Sequence, residues 1–308
     1  MTIAAVWVRT LDNGVEELVF CSDSRLSSGK RFDHCQKTFC FSRTDAAICF
    51  AGRTDWAYPM IIAAIKAANI HFPSQVRALG LSKFKSHLVD ILNQMQREVH
   101  SYARGENIPE VTFIIGGYDW FEKAFRIWRI KFEALENKFI AHERKGSSRF
   151  GSLGKIEIAG DPEWITEVRV RLKGLAQKRY GQNMRQPESA KFNMEPFEII
   201  RDLLRESTAN DSIGGAPQAV KVYQYLNSTD VGFFWPSADS GRLFISGRPL
   251  LEYERASINS VIDPDTLNST WSSGNTAVAS GQIEKANMKE QVRASATVPV
   301  STHLSEMP

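Results

Sequence analysis

Apolar positions in the first fifty residues come in short unbroken runs. Ile3-Ala4-Ala5-Val6-Trp7-Val8 and Leu18-Val19-Phe20-Cys21 are β-branched and aromatic, and too short for helices. They read as buried strands. Asp12-Asn13-Gly14 between them is a tight-turn signal, so the two runs predict a hairpin. A third strand pair is expected around 46–52. The period then changes. Ile61, Ile62, Ala63, Ala64, Ile65 and Ala68 predict a helix that Thr54 or Asp55 can cap and that 69–73 breaks. Phe84, Leu88, Ile91, Leu92 and Met95 recur at i, i+3, i+4 and predict a second helix over about 81–102.

Strand patterns return at 111–119 and at 124–132, where Phe125, Ile127 and Ile130 alternate with Arg126, Arg129 and Lys131. The aromatics Trp120, Phe121, Trp128 and Phe132 fit packing at a strand edge better than a ligand box. Residues 142–154 read as a polar loop and 156–159 as a strand. Asp161-Pro162 marks a helix start, with Asp161 as cap, and the helix is expected over 164–175. Residues 176–194 read as a basic insertion loop, 195–206 as a helix, and 220–226 with 231–235 as the last strand pair. Beyond about 254 the chain is rich in Ser, Thr, Ala and Asn, and Trp271 is its single aromatic from 255 on. Such a composition buries too little apolar surface to offset the cost of ordering, so 254–308 is expected to be a disordered tail after a domain at 1–253.

Composition narrows the function classes. The hydrophobic share of 43% suits a globular chain with a substantial core. Net charge is +3 with acids and bases well mixed, and no basic patch interleaved with aromatics points to nucleic acid. Neither a membrane span nor a secretory signal is visible, so a cytoplasmic setting is expected. Cys21, Cys35, Cys40 and Cys49 lack zinc-knuckle spacing, and Cys21 and Cys49 sit in apolar strands as expected of buried thiols. The six histidines are scattered. His34, near Asp33 and Lys37, reads as a solvent-facing loop residue. No metal or cofactor is expected.

Candidate chemistry concentrates at the start of the chain. Thr2 follows Met1, and a threonine is small enough at the second position to permit removal of the initiator. Once exposed, Thr2 would carry a hydroxyl nucleophile and a free α-amine on one residue. The hydroxyl needs a base, and an α-amine, with an ordinary pKa of about 7.7–8.0, can be one near neutral pH. A nearby lysine ammonium would hold the amine's pKa down and favour negative charge on oxygen. A carboxylate would hold the lysine, and a backbone N–H would meet the developing oxyanion.

The order Thr2, strand, turn, strand, Ser22-Asp23-Ser24-Arg25, Gly29, Lys37, strand, Phe50-Ala51-Gly52 resembles the catalytic half of proteasome β-subunits and of bacterial proteasome-type peptidases. The resemblance is strongest over 2–65 and continues more weakly to about 235. It implies an α+β fold, a four-layer αββα sandwich of the N-terminal-nucleophile (Ntn) hydrolase type. It assigns the nucleophile to Thr2, the supporting charges to Asp23 and Lys37, with Lys30 as the other candidate lysine, and the oxyanion donor to the amide of Gly52. Arg25, Phe50 and Thr54 are expected to bind substrate.

Two segments depart from the family pattern. Where a Gly-Ser-Gly turn is usual, the chain has Ile158-Ala159-Gly160-Asp161. Where Asp-x-x-Ser-Gly-Gly is usual, it has Asn210-Asp211-Ser212-Ile213-Gly214-Gly215, so the usual acid and serine fall on Asn210 and Ile213. Asp211 and Ser212 are expected to take those tasks. The resemblance implies a threonine peptidase working as a ring homo-oligomer on peptides or unfolded proteins, with an ATP-dependent unfoldase as a further partner. The alternatives are a proteasome-fold scaffold without catalysis and an amidohydrolase acting on a non-peptide amide.

Overall fold

A computed structural model describes residues 2–27, 30–99, 108–145, 153–181, 191–225, 227–257 and 260–270. The expected removal of Met1 lies outside the described residues. So do the last residues of the second helix, parts of the 142–154 and 176–194 segments, and the tail from 271.

Two sheets carry the fold. β1 (Ile3–Thr10) and β2 (Glu16–Ser22) form the expected hairpin, with Val8 opposite Leu18 and Gly14 at φ +77° in the turn. With β8 (Ile156–Gly160), β9 (Gln218–Tyr223), β10 (Ser228–Phe234), β11 (Leu243–Ile245) and β12 (Arg248–Pro249), they make a sheet in the order β12-β11-β10-β9-β2-β1-β8. The second sheet runs β3-β4-β5-β6-β7, from β3 (Thr38–Cys40), β4 (Ala46–Gly52), β5 (Val111–Asp119), β6 (Ala124–Glu133) and β7 (Lys138–Glu143). Every ladder among these strands is antiparallel.

The unbroken apolar runs have a direct cause: both faces of each sheet are buried. Successive side chains point to opposite faces. Ile3, Ala5, Trp7 and Val19 therefore pack with Val168, Leu172, Phe197 and Ile200 of α4 (Pro162–Tyr180) and α5 (Glu195–Glu206). Ala4, Val6, Leu18 and Phe20 meet Ala47, Cys49, Ile114 and Ile127 of the other sheet. The far face of that sheet, with Ile48, Phe50, Phe113 and Ile130, is covered by Ala57, Met60 and Ile61 of α1 (Thr54–Ile70) and by Phe84, Leu88 and Leu92 of α3 (Leu81–Arg97). A short helix, α2 (Phe72–Gln75), links the two. Gly116 lets the sheets approach, because a Cβ there would lie 2.8 Å from Leu18 Cδ2. No helix among the described residues is long and apolar enough to cross a membrane.

Several expectations need correction. Neither Thr54 nor Asp55 caps α1. The cap position is Arg53, and Asp55 instead pairs with the Arg53 guanidinium. His142 and Glu143 belong to β7, where Phe139 and Ala141 pack in the core beside α3, Lys138 and His142 are exposed, and Glu143 pairs with Arg126. α4 runs to Tyr180, and Phe192 and Met194 are buried against it, so the flanks of the 176–194 segment are part of the core. Trp128 and Phe132 are core residues, whereas Trp120 and Phe121 are exposed.

The largest correction concerns the tail. The chain stays packed past 254. β13 (Val261–Ile262) pairs parallel to β10 and antiparallel to β14 (Ser269–Thr270), and Ile262 is 1% exposed in the core that holds Phe197 and Phe233. The apolar content of that stretch is low, but Val261 and Ile262 supply it where an edge was open. We therefore expect Ile262→Ala to lower stability by about 2–4 kcal/mol, the cost of deleting a buried branched side chain. Urea denaturation followed by tryptophan fluorescence measures it. An unchanged midpoint would place Ile262 in an unpacked tail.

Candidate functional site

Three strand ends converge at the start of β1. Thr2 precedes β1, Asp23 follows β2, and Lys37 precedes β3; all three are fully buried. Lys37 Nζ donates to Thr2 Oγ1 at 2.8 Å and to both Asp23 oxygens at 2.9 and 3.0 Å. Lys30, the other candidate lysine, is exposed.

Asp23 is held by backbone donors from three segments. Its oxygens accept from the amides of Ile3 at 3.1 Å, Arg25 at 3.1 Å and Gly214 at 3.4 Å. A carboxylate so supplied can stay charged without water. Gln218 joins the pieces. Its Oε1 accepts from the Lys37 amide at 2.9 Å, and its Nε2 donates to the Asp23 carbonyl at 2.8 Å and the Cys35 carbonyl at 3.0 Å. Burial pulls the Lys37 ammonium below its ordinary pKa, and Asp23 partly restores it. Burial pushes Asp23 up against the pull of Lys37 and the backbone donors. Burial thus weakens the lysine's grip on its proton where it touches a hydroxyl.

The remaining expected residues separate into those near the site and those away from it. Gly52 lies at the end of β4. The Phe50 amide donates to the Lys37 carbonyl at 3.3 Å, which puts Gly52 two residues beyond the position beside the lysine. Its φ of +119°, and a Glu110 carbonyl 2.2 Å from where a Cβ would be, allow only glycine there. Ser212 Oγ donates to Asp161 Oδ2 at 2.5 Å and accepts from Trp164 Nε1 at 2.9 Å.

Asp211 takes no part. Its carboxylate accepts from Thr208 N and Oγ1 in a local turn, which lowers its pKa. Arg25 is not placed for substrate. Its guanidinium is buried against Asp33 and the carbonyls of Thr208, Asp211 and Ile213, where it ties the glycine loop to β2. Phe50 points to the helix-side core and stacks edge-on with Tyr58 at 5.4 Å, so it presents no surface to a substrate. Thr54, half-buried, is the first residue of α1. His34 is exposed, as expected.

Two residues join this site without having been anticipated there. Gln218 carries no signal in the sequence. Asp161 reads as a helix cap, yet it makes no side-chain cap bond. Its amide donates to the Thr2 carbonyl at 3.2 Å and its carboxylate takes Ser212. No group of three or more metal-ligating side chains converges among the described residues.

The buried pair yields a direct test of its energetics. Lys37→Met leaves Asp23 charged and unpaired, and we expect a loss of about 3–5 kcal/mol. Lys37→Met with Asp23→Asn keeps an acceptor for the backbone donors and removes the orphan charge. We expect the double variant to be more stable than Lys37→Met alone, with chemical denaturation closing the cycle. Additive losses would mean that the two side chains are not coupled.

No protein-family model matches the chain. No curated protein matches it either.

Proposed function

We propose that the chain is a threonine-type N-terminal-nucleophile hydrolase of the four-layer αββα kind, a proteasome-like peptidase that works as a ring of copies. The observation that carries this reading is the Lys37 Nζ to Thr2 Oγ1 contact of 2.8 Å, with Asp23 on the lysine's other side. It sets an ammonium against the very hydroxyl that would share a residue with a free α-amine once Met1 is removed.

The chemistry follows from that geometry. Thr2 is fully buried, so removal of Met1 must both create the α-amine and open the site. Thr2 Oγ1 then attacks the substrate carbonyl carbon while its proton passes to the α-amine. Lys37 steadies the oxygen as it loses the proton. The carbonyl oxygen gains the electron pair and is met by the Gly52 amide. The C–N bond breaks, the leaving amine takes the proton, and an ester to Thr2 remains. Water adds to that ester with the amine again as base, and its C–O bond breaks to return the hydroxyl.

A second reading has its own support. The burial of Thr2 and the outward turn of Asp211 suit a scaffold subunit without catalysis. A panel of fluorogenic peptide amides and non-peptide amides separates these readings. We expect the purified full chain to cleave at least one peptide. Thr2→Ser should retain activity and Thr2→Ala should lose at least about a thousandfold with its oligomer size unchanged. Hydrolysis indifferent to Thr2→Ala would contradict the assignment, absence of any hydrolysis in the wild type favours the scaffold, and cleavage confined to non-peptide amides moves the substrate class.

A further inference from the structure

We infer that Asp161 is a positioning residue that sets the charge around the Thr2 α-amine, with Ser212 and Trp164 holding its carboxylate in place. The inference rests on the proposed threonine chemistry.

The placement comes from strand register. β1 and β8 pair antiparallel with Ile3 opposite Gly160, and one step outward Thr2 is opposite Asp161. The Asp161 amide donates to the Thr2 carbonyl at 3.2 Å, so the pairing continues to that step. Directly opposed residues hold their Cβ atoms about 5 Å apart on one face. Gly160 makes the approach possible: its φ is +154° and a Cβ there would lie 2.3 Å from the Thr2 carbonyl oxygen.

The carboxylate is shut in rather than spread into solvent. Asp161 is 8% exposed. Ser212 Oγ donates to Oδ2 at 2.5 Å, and Trp164 Nε1 donates to that same hydroxyl at 2.9 Å. The hydroxyl hydrogen is thereby committed to Asp161. Asp161 leaves the N-terminus of α4 without a side-chain cap to make this bond. Its charge also acts on Lys37.

The charged and titratable groups around Thr2 come from several elements. Lys37 lies before β3, Asp23 after β2 and Asp161 after β8; Cys35 neighbours Lys37, and Arg25 braces the Ile213–Gly214 carbonyl loop. Asp23 is engaged by Lys37 and three amides. Asp161 is the second acid, on the side of the Thr2 main chain. It opposes Lys37 there: the lysine favours the neutral amine and the aspartate favours the ammonium. The two charges therefore pull the amine's proton affinity in opposite directions.

The test is the pH profile of acylation of the full chain by a β-lactone, followed by intact mass. The rate should rise as the amine loses its proton. Asp161→Asn keeps an acceptor for Ser212 and removes the charge. We expect its acid limb to move to lower pH by about half a unit or more. Ser212→Ala keeps the charge and should leave the limb in place while slowing acylation. If Asp161→Asn does not fold, Asp161→Ser makes the same comparison. A limb that stays put or moves to higher pH on loss of the charge overturns the inference, as does a Ser212→Ala shift equal to that of Asp161→Asn. A wild type that is never acylated overturns the threonine chemistry itself, which is a separate result.

Discussion

Everything around Thr2 depends on one buried ion pair. Lys37 and Asp23 have no exposed surface, and two charges taken out of water cost more than their attraction returns unless every lone pair and proton is used. Here they are used. Asp23 takes the lysine and the amides of Ile3, Arg25 and Gly214, so a single side chain fastens the start of β1, the end of β2 and the glycine loop before β9. Gln218 then fixes the lysine's own backbone to the carbonyl of Asp23. Removing either charge strands the other, so the pair acts as a constraint on register as well as a source of chemistry.

That constraint explains where the site lies. Four strands, β8, β1, β2 and β9, bring their ends to one edge of the first sheet, and β3 and β4 bring Lys37 and Gly52 to it from the second. The two sheets can do so because Gly116 carries no side chain where one would collide with Leu18 and crowd Phe20. Thr2, at a strand end rather than on a loop, is held by the ladders on either side of it. Arg25 belongs to the same logic. It looks like a substrate ligand in sequence, but its guanidinium is buried and spent on Asp33 and the carbonyls of the 208–213 turn.

Legibility in the sequence followed the strength of the local pattern. The hairpin of β1 and β2, the strands β4, β5 and β6, and α5 stand out because their apolar runs are long and end in turn or cap residues. Thr2, Asp23 and Lys37 were singled out by the order of motifs that the family resemblance rests on, and Lys30 could be set aside only once the structure showed it exposed. Phe50 was misplaced for want of parity: in a sheet buried on both faces an apolar residue gives no clue to which core it joins. β11 to β14 are two- and three-residue strands, too short to show a period, and 176–194 hides Ala176, Phe192 and Met194 among basic residues. Asp161 was hidden by Pro162, since Asp-Pro is the ordinary mark of a helix start, and only the folded chain reveals that its amide meets the Thr2 carbonyl.

The central claim is that hydroxyl and α-amine act from one residue, Thr2. An epoxyketone tests it most directly, because such a reagent closes a ring only with a nucleophilic oxygen and an amine on the same residue. The purified full chain should be weighed before and after incubation and its adduct mapped by peptide sequencing. We expect a chain lacking Met1 that gains one adduct, bound through both the Oγ1 and the nitrogen of Thr2. A chain that keeps Met1 and gains no adduct, or an adduct on any other residue, would contradict the claim.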